Sequence, residues 1–319
     1  MTNSHRMKPP FLAWACLLVM LPCVSTRVAQ GDQTTAMVPC TRMTTTAVEA
    51  GALEQTTCGT SFVFRIPLLS GLVSTLVGED AAFVLLREQA GSIADLPPET
   101  SSNVDRICLI TRDRRNLHGY RIRARDPARG YVVAAQGNAT LAGRLLPRLR
   151  FLADLGLDVL VLDYRGYGHS SGTPRLKAIV QDYVDLIHFV DRRRQPGQRI
   201  ALYGMSFGAI VLMRSVALGA PYDFGLMDSV PSTAHRECPS YYDPVNNLPD
   251  DLSRLEFLFG SLDTQVTPAM TAALRTKLHQ EKGLWQELAI GHPDTVGEPR
   301  NSLMIREQHI RHFAKRFLD

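Results

Sequence analysis

The chain has 319 residues, 45% of them hydrophobic and 21% charged, with a formal net charge of +4. That supplies enough apolar material to bury a core, and enough length for one large domain with an extension. The modest charge, with no nucleic-acid-binding motif, zinc-ligand spacing or internal repeat, argues against nucleic acid as a partner and against a repeat architecture.

The first predicted element is a leader. Arg6 and Lys8 precede an apolar run from Phe11 to Val24 that Pro22 interrupts, and small or polar residues follow. This is the layout of a secretory signal peptide over residues 1–25, and the run is short for a membrane span. Cleavage after Ser25 would yield an exported, periplasmic or secreted protein. The rival reading is lipidation at Cys23, which would anchor the chain to a membrane, although Met20-Leu21-Pro22 matches that signal poorly. The mature chain would keep Cys40, Cys58, Cys108 and Cys238, an even number that suggests disulfides in an exported protein. Cys40 with Cys58 would close a short loop worth about 3 kcal/mol. Cys108 with Cys238 would be the second pair, with buried free thiols as the alternative.

Residues 26–103 read as an N-terminal extension and linker. They are rich in Thr, Ala and Gly to about residue 60, then apolar from Ser61 to Val73. Asp80 to Gln89 is compatible with a helix, and a Pro- and Ser-containing linker spans residues 96–102. Such an extension could cap the pocket, tether the domain or extend the sheet. The main domain is expected over 104–319. It opens with a hairpin, Arg106–Thr111 and then a strand in which Tyr120, Ile122 and Ala124 alternate with arginines. Seven arginines (112, 114, 115, 121, 123, 125 and 129) crowd this hairpin; a solvated strand face or contact with an anionic membrane or envelope surface would account for them. Next come a strand at Tyr131–Ala135, a helix at Leu141–Leu152, a strand at Val159–Asp163 and a helix at Leu176–Val190. Strands follow at Ile200–Tyr203, Gly225–Asp228, Leu255–Phe259 and Glu287–Ile290, with a helix at Ala209–Ala217 after the first. In the last helix Ile310, Phe313, Ala314 and Phe317 form an apolar stripe, while His309 and His312 are expected on its exposed side. A hairpin followed by alternating strands and helices predicts an α/β sheet, parallel for most of its width, with helices on both faces.

Chemistry concentrates in Gly204-Met205-Ser206-Phe207-Gly208, between a strand and a helix. A Gly-x-Ser-x-Gly string in that context is the nucleophile elbow, a strained turn that lifts a serine hydroxyl above the sheet. A serine hydroxyl needs a base, and the base an orienting carboxylate. In chain order Asp263 and His292 supply them, each just past a strand end, where open sheets gather functional residues. Asp228, at the end of the preceding strand, is the alternative acid. The oxyanion of an acyl-transfer intermediate needs preorganised N–H donors. The backbone N–H of Phe207 is one candidate; that of Asn138 or Ala139, in the loop Gln136-Gly137-Asn138-Ala139-Thr140, is the other. Asn138 also opens a glycosylation sequon, which is rejected because a glycan there would block the pocket. No metal or cofactor is called for.

Four pieces together resemble the α/β-hydrolase superfamily: the loop at Gln136–Ala139, the run Asp163-Tyr164-Arg165-Gly166-Tyr167-Gly168-His169-Ser170, the elbow, and the strand ends carrying Asp263 and His292. The second piece resembles the Asp-Tyr-Arg-Gly-Tyr-Gly-x-Ser motif of the "alpha/beta hydrolase domain-containing" serine hydrolases, a branch that includes lipid esterases and depalmitoylating thioesterases. The resemblance covers about residues 104–319 and implies an α/β-hydrolase fold with an antiparallel hairpin at its N-terminal edge. Gln136 stands where the family usually has histidine. Only 26 residues separate Asp228 from Leu255, and four of them are proline. Little or no lid is therefore expected, with Gln136, Tyr164, Tyr241 and Tyr242 as candidate lining residues. The expected activity is cleavage of an ester or thioester of a small-molecule or lipid-like acyl group through an acyl-serine. The same triad would serve an amidase or peptidase, and a non-catalytic envelope binding protein is the rival from another class.

Overall fold

The structure, a computed structural model, describes residues 41–44, 90–91, 102–234, 238–293 and 300–318. The expected leader with Cys23, the Cys40–Cys58 pair, the apolar stretch 61–73 and the helix-compatible segment 80–89 lie outside the described residues. Within them, nine strands form one sheet in the order β1-β2-β3-β5-β4-β6-β7-β8-β9. The strands are β1 (Thr41–Thr44), β2 (Val104–Ile110), β3 (Asn116–Ile122), β4 (Gly130–Ala135), β5 (Leu157–Leu162), β6 (Arg199–Met205), β7 (Phe224–Asp228), β8 (Leu255–Gly260) and β9 (Leu284–Leu288). Pairing is antiparallel only where β3 meets β2 and β5; the other neighbours run parallel. The opening hairpin is therefore β2–β3. The short strand β1, from the N-terminal extension, lengthens the sheet beyond it.

Helices cover both faces, as the alternation of elements demands. On one side lie α2 (Leu176–Asp191), α3 (Phe207–Ala217) and α4 (Pro268–Gln280); on the other lie α1 (Leu146–Asp154) and α5 (Arg300–Leu318). The central strands are buried along almost their whole length and send alternate residues to the two cores. Val133, Ala135, Ile200 and Leu202 go to the first; Val132, Ala134, Ala201 and Tyr203 go to the second. The apolar stripe of α5 packs as its spacing predicts, with Ile310, Phe313, Ala314 and Phe317 all buried.

Two expectations are corrected. Cys238 is a buried free thiol, so the Cys108–Cys238 bridge is not made. Cys108 sits on β2 and Cys238 in the crossing that leaves β7; those strands are five steps apart, about 24 Å at sheet spacing. His309 is buried and lies 2.8 Å from the Glu256 carboxylate on β8. Of the hairpin arginines, Arg114, Arg115, Arg123, Arg125 and Arg129 are exposed, as a solvated face requires, while Arg112 pairs with Asp185, Arg121 with Asp158, Arg123 with Asp105 and Arg125 with Asp154.

The segment joining β7 to β8 holds three single-turn helices among its described residues: Ser240–Tyr242, Pro244–Asn246 and Leu252–Arg254. Its prolines keep it irregular, as expected for a protein with little or no lid. No helix among the described residues is long and apolar enough to cross a membrane.

Candidate active site

The sheet topology brings the expected residues to one edge. The chain leaves β3, enters the sheet at β4, returns to β5, and crosses back to β6. The loops after β4 and β6 thus sit side by side at the carboxyl ends of neighbouring parallel strands, where such sheets open a crevice.

Ser206 occupies the turn between β6 and α3 with φ 52° and ψ −113°. A non-glycine residue held there carries strain of order 1–3 kcal/mol, and the surroundings impose it. The Ser206 N–H donates to the Asp228 carbonyl at 2.8 Å, continuing the β6–β7 ladder past its last residue. The flanking glycines are sterically required. A Cβ on Gly204 would lie 2.6 Å from the Ala209 Cα, and one on Gly208 would lie 2.1 Å from the Ala135 carbonyl oxygen. Between Ile200 and Met213 every residue is buried except Ser206, which is partly exposed. The turn thus lifts one hydroxyl out of an otherwise closed core.

The loop after β4 reaches the serine. A Cβ on Gly137 would stand 3.9 Å from the Ser206 Cβ and from the Met205 carbonyl oxygen. Asn138 and Ala139 are partly exposed beside it, and Ala139 takes a left-handed φ of 55°. Its N–H donates to the Asn138 side-chain oxygen at 3.2 Å. Gln136, expected as a lining residue, is fully buried instead. Its amide donates to the Leu162 carbonyl at 2.9 Å, and its backbone carbonyl accepts from the Tyr164 hydroxyl. Tyr164 is likewise buried and meets Phe207 edge to face, with ring centroids 5.3 Å apart. Both side chains brace the loop from behind and offer no surface to a ligand.

Asp263 and His292 meet. The His292 Nδ1 lies 2.8 Å from the Asp263 Oδ2, and both side chains are buried. The other carboxylate oxygen accepts the N–H groups of Gln265 and Val266 at 2.9 and 2.8 Å. Burial acts to raise the Asp263 carboxyl, but the hydrogen bond and charge of His292 and these two N–H groups outweigh it, so its pKa falls below the ordinary value. An ionised carboxylate only accepts, so it fixes the imidazole proton on Nδ1 and leaves Nε2 as the acceptor. Gly260 permits this approach. A Cβ there would lie 2.4 Å from the Ile290 carbonyl and 3.3 Å from the Asp263 Cβ.

Asp228, the alternative acid, is committed elsewhere. It is wholly buried, and its Oδ2 accepts from Arg306 Nε at 2.7 Å and from the Tyr203 hydroxyl at 3.1 Å. Tyr241 and Tyr242 pack on the far part of α3, where the Arg214 guanidinium stands 5.0 and 6.0 Å from their ring centres. Arg214 is eight residues beyond Ser206, about 12 Å along the helix. No sequence motif marks Arg306, whose Nη2 also donates to the Gly291 carbonyl at 2.7 Å. A signal was present: Arg306 falls four residues before Ile310 on the apolar stripe, where a charge is out of place.

Comparisons with known proteins bear on the fold. A family model described as serine aminopeptidase, S33, matches residues 126–248. The uncharacterized protein YfhR of Escherichia coli is 30% identical over 95 residues, 30% of this chain and 34% of that protein. Protein bem46 of Schizosaccharomyces pombe is 28% identical over 173 residues, 49% of this chain and 58% of that protein. The matches thus span less than two thirds of these relatives' own length. Among solved structures, an esterase of Pyrococcus furiosus superposes with a TM-score of 0.55 at 17% identity, covering 70% of this chain and 100% of that one. An α/β serine hydrolase without lid from Xanthomonas campestris gives 0.52 at 17% identity, covering 69% and 98%. At such identities the likeness is one of fold.

Proposed function

We propose that this chain, whose fold is that of the α/β hydrolases, hydrolyses a carboxylic ester or thioester through an acyl-serine intermediate. The fold and its relatives support a hydrolase. The finer reading rests chiefly on one observation: an imidazole held by a buried carboxylate at 2.8 Å, in a chain whose elbow lifts out a single strained serine.

In this mechanism Ser206 Oγ attacks the acyl carbon while His292 Nε2 takes its proton. The same nitrogen then gives the proton to the leaving alkoxide or thiolate, and the acyl-serine forms. Water repeats the sequence, activated by His292, and releases the acid and free Ser206. Asp263 holds the Nδ1 proton and stabilises the imidazolium. The oxyanion is received by the N–H of Phe207, at the start of α3, and by the loop after β4. There the Asn138 N–H is the better placed candidate, because that of Ala139 is turned onto its neighbour's side chain. Each such donor is worth about 3 kcal/mol of transition-state stabilisation.

The test uses a fluorophosphonate probe and nitrophenyl esters of increasing chain length. Wild-type protein should be labelled and should hydrolyse the esters. Ser206→Ala should lose labelling and at least about 10³-fold in kcat. Folded wild-type protein that takes no label would favour a non-catalytic binding protein. The family match to a serine aminopeptidase supports a second reading on the same residues, cleavage of an amide. Faster turnover of aminoacyl nitroanilides than of nitrophenyl esters would favour it. Export rests on the leader sequence, with lipidation at Cys23 as its variant, and mass spectrometry of the mature N-terminus tests both.

A further inference from the structure

We propose that Arg306 is a positioning residue that locks the serine turn and the histidine turn into one register; this rests on the hydrolase reading above. Its side chain is buried on α5. Nε donates to the Asp228 Oδ2 at 2.7 Å, and Nη2 donates to the Gly291 carbonyl at 2.7 Å. Both acceptors adjoin the site. Asp228 gives its backbone carbonyl to the Ser206 N–H at 2.8 Å, and Gly291 immediately precedes His292. One turn earlier on α5, the Ser302 hydroxyl accepts the Gly291 N–H at 3.3 Å. A single guanidinium therefore joins the strand end that fixes the nucleophile to the turn that carries the base.

Packing alone does not explain this arginine. Arg306 continues the apolar stripe of α5, where a leucine or methionine would seat the helix without removing a charge from water. Replacing a buried ion pair by well-packed apolar residues is often neutral or stabilising. What an apolar side chain cannot do is donate to two acceptors on separate segments in a rigid fork, and lysine, a point charge on a flexible stem, cannot do so in fixed geometry either. The Asp228 carboxylate is anchored independently by the hydroxyls of Tyr203 and Ser229, at 3.1 and 3.2 Å. The fork is thus tied at a fixed point on the serine side and reaches out to the histidine side.

Arg306→Lys keeps the charge beside Asp228 and loses the span. Its expected phenotype is a fall of about 10- to 100-fold in kcat and in fluorophosphonate labelling rate, the scale of an ångström of misplacement. KM should stay within about twofold, Tm should stay close to wild type, and amide hydrogen exchange over residues 289–293 should be faster. The double variant Arg306→Met with Asp228→Asn removes both buried charges. It should fold at least as stably as Arg306→Lys and remain as slow. A wild-type rate in Arg306→Lys would overturn the proposal, as would recovery of rate with stability in the double variant. Wild-type protein that takes no label would instead sink the hydrolase reading. The exchange measurement then still decides whether Arg306 holds the Gly291 turn: unchanged exchange in Arg306→Lys overturns it.

Discussion

At the scale of single residues, two positions outside the expected triad carry consequences of their own. Gly260 allows the Ile290 carbonyl to within 2.4 Å of where a Cβ would sit, so Gly260→Ala must push the turn of Asp263 away from the strand end that leads to His292. A loss of about 2 kcal/mol in stability is expected by chemical denaturation, with at least about a tenfold fall in kcat. Asp163 is buried, and its carboxylate accepts the Ala142 N–H at 2.7 Å. Burial dominates that bond and pushes the acid up to about 6 from 3.8. A carboxyl raised in the folded state costs nothing below its unfolded value, and opposes folding increasingly as pH climbs through its folded one. Asp163→Asn keeps the acceptor and sheds the charge. It should raise stability by about 3 kcal/mol at pH 8 and change it little at pH 4, read from urea midpoints at the two values. In the sequence, Ser206, Asp263 and His292 were visible because their types, order and strand-end positions are dictated by chemistry. Gly260 was hidden because its role depends on which distant backbone it meets; Arg306 showed only as a charge on an apolar stripe, its partners set by the fold.

At the scale of elements, one buried fork ties the turn after β5 to its surroundings. Arg165 Nε donates to Asp182 on α2 at 2.8 Å, and its Nη1 donates to Asp113 in the β2–β3 turn at 3.0 Å. Arg165→Met would strand the Asp182 carboxylate in the core, a change that typically costs about 3–5 kcal/mol. Removing the acid as well, with Asp182→Leu, should restore most of that loss in a denaturation series. The fork also explains why the Asp-Tyr-Arg-Gly run reads as a motif: its arginine ties the turn to Asp182 and Asp113, while Tyr164 meets Phe207. Most elements were legible from apolar runs and periodicity, because the central strands are buried on both faces and α2 carries a strong stripe. Helix α4 was not read: it buries only Thr271, Leu274 and Leu278, too narrow a face to stand out. Strand β9 was read three residues late, since an edge strand with exposed or half-buried residues throughout has no apolar core to mark it.

At the scale of the whole molecule, the α/β class, the parallel sheet and its opening hairpin followed from the order of elements alone. The added edge strand β1 did not, because a four-residue strand rich in threonine is indistinguishable from a polar linker until its neighbour is known. The short, proline-broken crossing between β7 and β8 has a kinetic implication. On the hydrolase reading, the described residues of this crossing present no helical lid that must swing aside before each encounter or to discharge products, and so set no slow gate there. Turnover should then follow the reactivity of the leaving group and stay indifferent to added viscogen, and an oil–water interface should bring no jump in rate.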